Sequence, residues 1–207
     1  MALPDNISLP DDLKECILFH GHLCPGLVYG YLVAKEATQI FGLSRAKDEE
    51  VVAICENDSC AVDAIQVLLG TSVGKGNLTI KNYGKNAYTI FERSSKGAYR
   101  FSKKQYYEYK SNNKEEFNRL DKVIAKKRAT ERGILQHKLL KCTDLLSRPF
   151  SEIFETKKVT IPEPSLATIA DSKPCAKCDE MTMSTKMIKT EDGKLFCIPC
   201  SIKERAQ

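Results

Sequence analysis

The stretch EVVAICENDSCAVDAIQVLLG, residues 50–70, changes character twice. Glu50–Ile54 is dominated by β-branched and small apolar side chains, the composition of a short buried strand. Cys55-Glu56-Asn57-Asp58-Ser59-Cys60 is a polar turn carrying two thiols, and Ala61–Gly70 then reads as helix. A strand that passes through a polar turn into a helix gathers side chains from the strand end and the first helical turn on one ligand.

Upstream, Phe19-His20-Gly21-His22-Leu23-Cys24-Pro25-Gly26 holds two of the three histidines and one of the nine cysteines. Imidazole nitrogen and thiolate sulfur bind zinc and related metals, and a helix start favours a thiolate. Asp11 and Asp12 begin a short helix to Leu18, and residues 25–41 form a second with Pro25 in its first turn and Gly42 past its end. Along that helix Gly26, Gly30, Ala34 and Ala37 make a narrow small-residue face, so another element must pack closely on it. Downstream, residues 77–101 alternate in three segments and predict an antiparallel meander. Asn113 to about Leu146 predicts one long basic helix, stopped by Arg148-Pro149. Residues 154–161 read as a further strand. The expected class is α+β, helices packed on an antiparallel sheet, followed by a small zinc-ribbon or treble-clef domain. The Pro-bearing segment IPEPSLATIADSKP places the boundary near 165–173, dividing the chain into 1–168 and 169–207.

Cys175-Ala-Lys-Cys178 and Cys197-Ile-Pro-Cys200 are two CxxC pairs 18 residues apart, the spacing of a structural zinc site. Four thiolates complete a tetrahedron and leave no open position, so such a site folds a module that has little core of its own. Two redox dithiols are the alternative. Nine cysteines with no secretory signal point to reduced thiols and to a cytoplasmic protein. No stretch is long and apolar enough for a membrane span. Residues 1–70 carry four basic side chains against eleven acidic ones, a net of −7, so the overall +5 leaves +12 for the remainder. That basic part can meet nucleic acid or an acidic protein surface.

Other motifs carry less. Gly70–Gly76, GTSVGKG, is one residue short of a phosphate loop and has Gly where the magnesium-binding hydroxyl belongs, which excludes nucleotide hydrolysis but leaves Lys75 as a possible anion contact. Tyr106, Tyr107 and Tyr109 beside Lys103, Lys104 and Lys110 read either as base-stacking groups or as a half-buried helix edge. His137 reads as structural, and Cys16 and Cys142 as buried packing residues.

FHGHLCPG, then ENDSCAVDAIQ, then GTSVGKGNL, in that order and spacing, resembles the FmdE family, the E-type subunits of formylmethanofuran dehydrogenase, over roughly residues 10–165. The resemblance implies an α+β core, in longer members followed by a zinc finger, and an intertwined homodimer. It implies a core metal site at His20, His22, Cys24 and Cys60, holding a second transition metal, expected to be zinc. Cys55, Asp58 and Asp63 are reserve ligands or partners of the ligands. The redox chemistry in that family's name needs a tungsten or molybdenum pterin and iron–sulfur clusters, and this chain lacks the Cys-rich motifs for the latter. An accessory, regulatory or interaction role follows. The rivals are a metal enzyme with an open site at His22, Cys24 and Cys60, using Asp58 or Glu56 for proton transfer, and a nucleic-acid-binding regulator.

Overall fold

A computed structural model describes residues 9–95 and 97–205, the last three of these by backbone alone. The acidic N-terminus up to Ser8 and the side chains of Lys203 and Arg205 fall outside the described residues. The chain forms two compact units, one ending at Leu166 and one beginning at Ala167.

In the larger unit, α1 (Asp11–His20) and α2 (Pro25–Phe41) precede β1 (Val51–Cys55), α3 (Ala61–Leu69), β2 (Leu78–Ile80), β3 (Ala87–Glu92) and β4 (Gly97–Lys103). Then come α4 (Lys114–Ala125), α5 (Glu131–Leu146), α6 (Phe150–Ile153) and β5 (Phe154–Val159). The small-residue face of α2 is used as expected: Gly30 lies so close to α3 that a Cβ there would sit 2.0 Å from the Ala61 carbonyl oxygen. Only a residue without a side chain permits that approach.

The α+β class holds, but the sheet is mixed. Its order is β2-β1-β3-β4-β5. β2 does not join a meander with β3; it pairs in parallel with β1, Ala53 opposite Leu78, while the other neighbours are antiparallel. The reason is burial. β1 and β3 are the most deeply buried strands and take the interior, and α3 supplies the crossover that a parallel pair requires. Tyr88, Ile90, Phe101 and Phe154 belong to the main core with the helices, while Val52, Phe91 and Ala98 form a smaller cluster.

The single long helix is likewise two. Lys126-Lys127-Arg128 separates α4 from α5, with Lys127 at φ 54°, and the Thr130 hydroxyl caps α5 by accepting from the Gly133 N–H at 3.2 Å. Three adjacent cations repel in a helix turn, and the capping threonine restarts it. Residues 104–110 form a loop, not a helix edge. Within it the Tyr107 hydroxyl donates to Asp144 at 2.6 Å, and Tyr109 stacks on Phe117 at 4.5 Å. His137 also stacks on Phe117, at 4.4 Å, and Cys16 and Cys142 are fully buried, so these three are packing residues.

The smaller unit has a hairpin of β6 (Ser172–Pro174) and β7 (Met181–Met183), a second of β8 (Met187–Lys189) and β9 (Leu195–Cys197), and a closing helix α7 (Ile198–Arg205). Cysteine turn, hairpin, then a second cysteine pair that spans the end of β9 (Cys197) and the first turn of a closing helix (Cys200) is the order of a treble-clef finger.

Candidate metal centres

The core cluster is assembled from three helix ends. α1 runs two residues beyond the expected Leu18 and ends on His20, where Gly21 at φ 90° reverses the chain. A left-handed turn of this kind suits glycine. The chain then presents His22 and enters α2 through Cys24, whose Sγ caps the helix by accepting from the Leu27 N–H at 3.4 Å. One ligand atom each from His20, His22 and Cys24 lies within 4.8 Å of the others.

His20 is oriented from both sides. Its Nδ1 lies 2.7 Å from Asp63 Oδ2, in the first turn of α3, and its Nε2 lies 3.8 Å from Cys24 Sγ. A carboxylate behind one ring nitrogen fixes the tautomer and leaves the other nitrogen as the ligand atom. Tetrahedral zinc with Zn–N near 2.0–2.1 Å and Zn–S near 2.3 Å would separate N and S by about 3.6 Å, so the observed pair needs almost no movement. The His20 and His22 rings stand 4.6 Å apart. His22 is exposed, and the partial desolvation its ring does undergo, then the neighbouring His20 and Lys138, hold it below the usual histidine range, which keeps its nitrogen available.

Cys60 adjoins this group without belonging to the compact triad. The space at Gly26 is bounded by both thiols, with Cys60 Sγ 3.5 Å and Cys24 Sγ 3.8 Å from where a Cβ would stand. Burial, then Cys24, push the Cys60 thiol up. Asn57 sets the turn before it: its Oδ1 accepts from the Ser59 N–H and hydroxyl, and its Nδ2 donates to the Lys85 carbonyl at 2.8 Å and to Tyr88 at 3.2 Å. Nothing in the spacing of the motif marks Asn57, since only the fold reveals that it is buried.

The reserve residues divide. Asp63 is the carboxylate behind His20. Cys55 is fully buried in β1, where burial pushes its thiol up to about 12. Glu56 is held by a two-pronged ion pair with Arg100, at 2.8 and 3.0 Å, and Asp58 accepts from Asn82 at 2.8 Å. Lys75 does not wait for an anion: its ammonium donates to the carbonyls of Ala46, Lys47 and Asp48 and so fastens the loop before β1.

In the smaller unit Cys175, Cys178, Cys197 and Cys200 converge. The Cys197 N–H donates to Cys175 Sγ at 3.3 Å, and Cys178 Sγ lies 3.9 Å from Cys197 Sγ. The N–H groups of Cys197, Cys178 and Lys177 draw the Cys175 thiol down to about 6. Four sulfurs gathered at this spacing are the donor set that a tetrahedral metal completes.

Fold and sites define an α+β protein with two side-chain clusters that could hold a metal ion, one of them a cysteine tetrad in the smaller unit. The family model described as FmdE, molybdenum formylmethanofuran dehydrogenase operon, matches residues 19–155, and the chain belongs to that family. A probable S-adenosyl-L-methionine-binding protein of Archaeoglobus fulgidus is 28% identical over 190 residues, which are 88% of this chain and 50% of that protein. The chain thus spans about half the length of this curated relative. The crystal structure of a tungsten formylmethanofuran dehydrogenase FmdE-like protein from Syntrophus aciditrophicus shares the fold, with a TM-score of 0.54, 20% identity, and coverage of 92% of this chain and 90% of that one.

Proposed function

We propose that the chain is an accessory or regulatory protein of formylmethanofuran-type molybdenum or tungsten metabolism. It would carry a transition metal in its core and a structural zinc in its C-terminal module. The observation that carries the core site is the double hold on His20, Asp63 behind Nδ1 and Cys24 before Nε2. His20, His22 and Cys24 would supply three ligands, and Cys60 is near enough to complete four after a small adjustment. Zinc is the metal proposed for both sites, since mixed imidazole and thiolate donors suit it.

The exposure of His22 favours a second reading, an open site at which a metal-bound water or ligand meets solvent. In that case the metal supplies Lewis acidity, His20 and Asp63 fix the ligand geometry, and proton transfer falls to a group other than Glu56, which Arg100 occupies. A pairing of two chains is proposed as well; Leu18 and Phe19, exposed by 86% and 61% beside His20, support it.

Metal analysis of the full chain decides the core site. Two metals per chain are expected, one lost in Cys24→Ser and the other in Cys175→Ser. A single metal in the parent protein that survives Cys24→Ser refutes the core reading. Light scattering tests the pairing, and a monomer at micromolar concentration would exclude it. S-adenosyl-L-methionine, named for the archaeal relative, is the first organic ligand to titrate.

A further inference from the structure

α5 reaches the core donor cluster by running beside α2 in the same direction. Towards the far end of the pair, Tyr29 of α2 lines one small cavity with Leu145 and Arg148 of α5. Nearer the cluster, Cys24 and Cys142 share the main core, close enough that the charge of the first acts on the second. Seven residues before Tyr29 in the chain is His22, and seven before Leu145 is Lys138. Along a helix that step is roughly 10 Å, which brings Lys138 level with the exposed edge of the cluster. Its face agrees. Lys138, Cys142 and Leu145 stand at i, i+4 and i+7, one stripe of α5, and the last two are buried. Lys138 heads that stripe where it leaves the core, and its side chain is exposed, as is that of His22. Its charge is felt at His22 and at Cys142.

The charges at this edge do not balance. Two neutral imidazoles and one thiolate leave a divalent ion with a net positive charge. Asp63, the carboxylate bonded to the triad, is taken up by His20 and by the Gln66 amide. Among the described residues no carboxylate pairs with Lys138. A metal ion and an ammonium that face one space suit a ligand with two oxygens sharing a negative charge. A phosphate would ask for a further cation, and Lys141, the next lysine along α5, rests 4.3 Å over the Tyr107 ring.

We infer that the open position of the core metal takes a small carboxylate ligand, one oxygen on the metal and the other on the Lys138 ammonium. The inference rests on the open-site reading above, in which His20, His22 and Cys24 are the protein ligands. Lys138 binds the ligand and not the metal, so its loss weakens the ligand while metal content stays as it is.

The cobalt(II)-substituted full chain, titrated with acetate, inorganic phosphate and imidazole and read by visible absorption, tests the assignment. The cysteine tetrad has no open position, so its cobalt bands form a constant background. Acetate should shift the remaining bands and saturate. Lys138→Gln should weaken acetate by about 3- to 10-fold at low ionic strength, as for a charge-assisted bond at an exposed site, and the difference should close at high salt. Neutral imidazole, which needs no cation, should bind both proteins alike. Lys47→Gln, the same charge change at an exposed residue before β1, should leave acetate affinity unchanged. A chain that takes up no core metal removes the open-site reading and this inference together. With the core metal counted and present, the inference alone is overturned by bands that acetate does not move, by equal acetate affinity in Lys138→Gln, by an equal loss in Lys47→Gln or for imidazole, or by phosphate binding tighter than acetate.

Discussion

Gly30→Ala isolates the contact that brings the two cysteine-bearing helix starts together. On helix propensity alone the change should stabilise α2 by about 1 kcal/mol. In this fold the new methyl would lie 2.0 Å from the Ala61 carbonyl oxygen and 2.6 Å from its carbonyl carbon and Cα. To reach ordinary contact α2 and α3 would have to part by roughly 1.4 Å, because backbone atoms cannot swing aside as a side chain can. Overpacking of this kind costs about 1–3 kcal/mol, and a backbone obstacle belongs at the upper end. The net loss is then about 2 kcal/mol, a fall of roughly 4–8 °C in Tm for a unit of this size. Parting the helices also moves Cys24, at the start of α2, away from Cys60 and from His20, which stays with α1 and Asp63, so the core metal should bind more weakly while the cysteine-tetrad metal is retained. Thermal circular dichroism and metal counting on the same sample read both effects. Gly74→Ala, where a Cβ meets nothing within 4 Å, is the matched control and should change stability by less than about 0.5 kcal/mol. A Gly30→Ala protein as stable as the parent, with its core metal intact, would refute the close-packing argument.

Three other outcomes are expected. Asp63→Ala removes the carboxylate behind His20 and should weaken core-metal affinity by about 10- to 100-fold, measured by competition with a chelating dye; an unchanged affinity would show that His20 is oriented by something else. Chelation at neutral pH should unfold the C-terminal module and spare the larger unit, whose core is apolar, and amide exchange that opens both units equally would contradict this. Burial is the largest influence on Glu92 and pushes it up, but its bonds to Ser94 and Ser95 together outweigh that and hold it at about 2. A carboxylate depressed in the folded state stabilises above its unfolded pKa, and that stabilisation is lost as pH falls from about 4.5 towards 2. The stability advantage of the parent over Glu92→Gln should therefore shrink across that window, and a pH-independent difference would argue against it.

Much of the fold is legible in the sequence because local chemistry and tertiary context agree. Pro25 and Gly42 bracket α2, Ala61–Leu69 is helical after Cys60, and the hairpin of β3 and β4 lies where alternation places it. Departures arise where neighbours decide. Leu78–Ile80 alternates like a meander strand, yet its partner is chosen by which strand needs covering, and α3 delivers it beside β1. Lys75 resembles an anion contact in sequence, but three carbonyls from the loop before β1 claim its ammonium. Glu56 suits a proton carrier by its place in the motif, but Arg100, 44 residues away in the chain, holds it.

The sequence by itself determined the candidate donor groups, because HGHxC and the paired CxxC motifs place imidazoles and thiolates within one or two turns of chain, too near each other for the fold to separate widely. It also determined the α+β class, since helical and strand periodicities are local properties. Tertiary structure decided the rest. Asp63 stands behind His20, Cys60 comes beside Cys24, and Tyr106 alone of its three tyrosines stays open to solvent. Each of these depends on which surfaces meet when α3 packs on α2 and the 104–110 loop packs on α5, and no spacing along the chain encodes such a meeting.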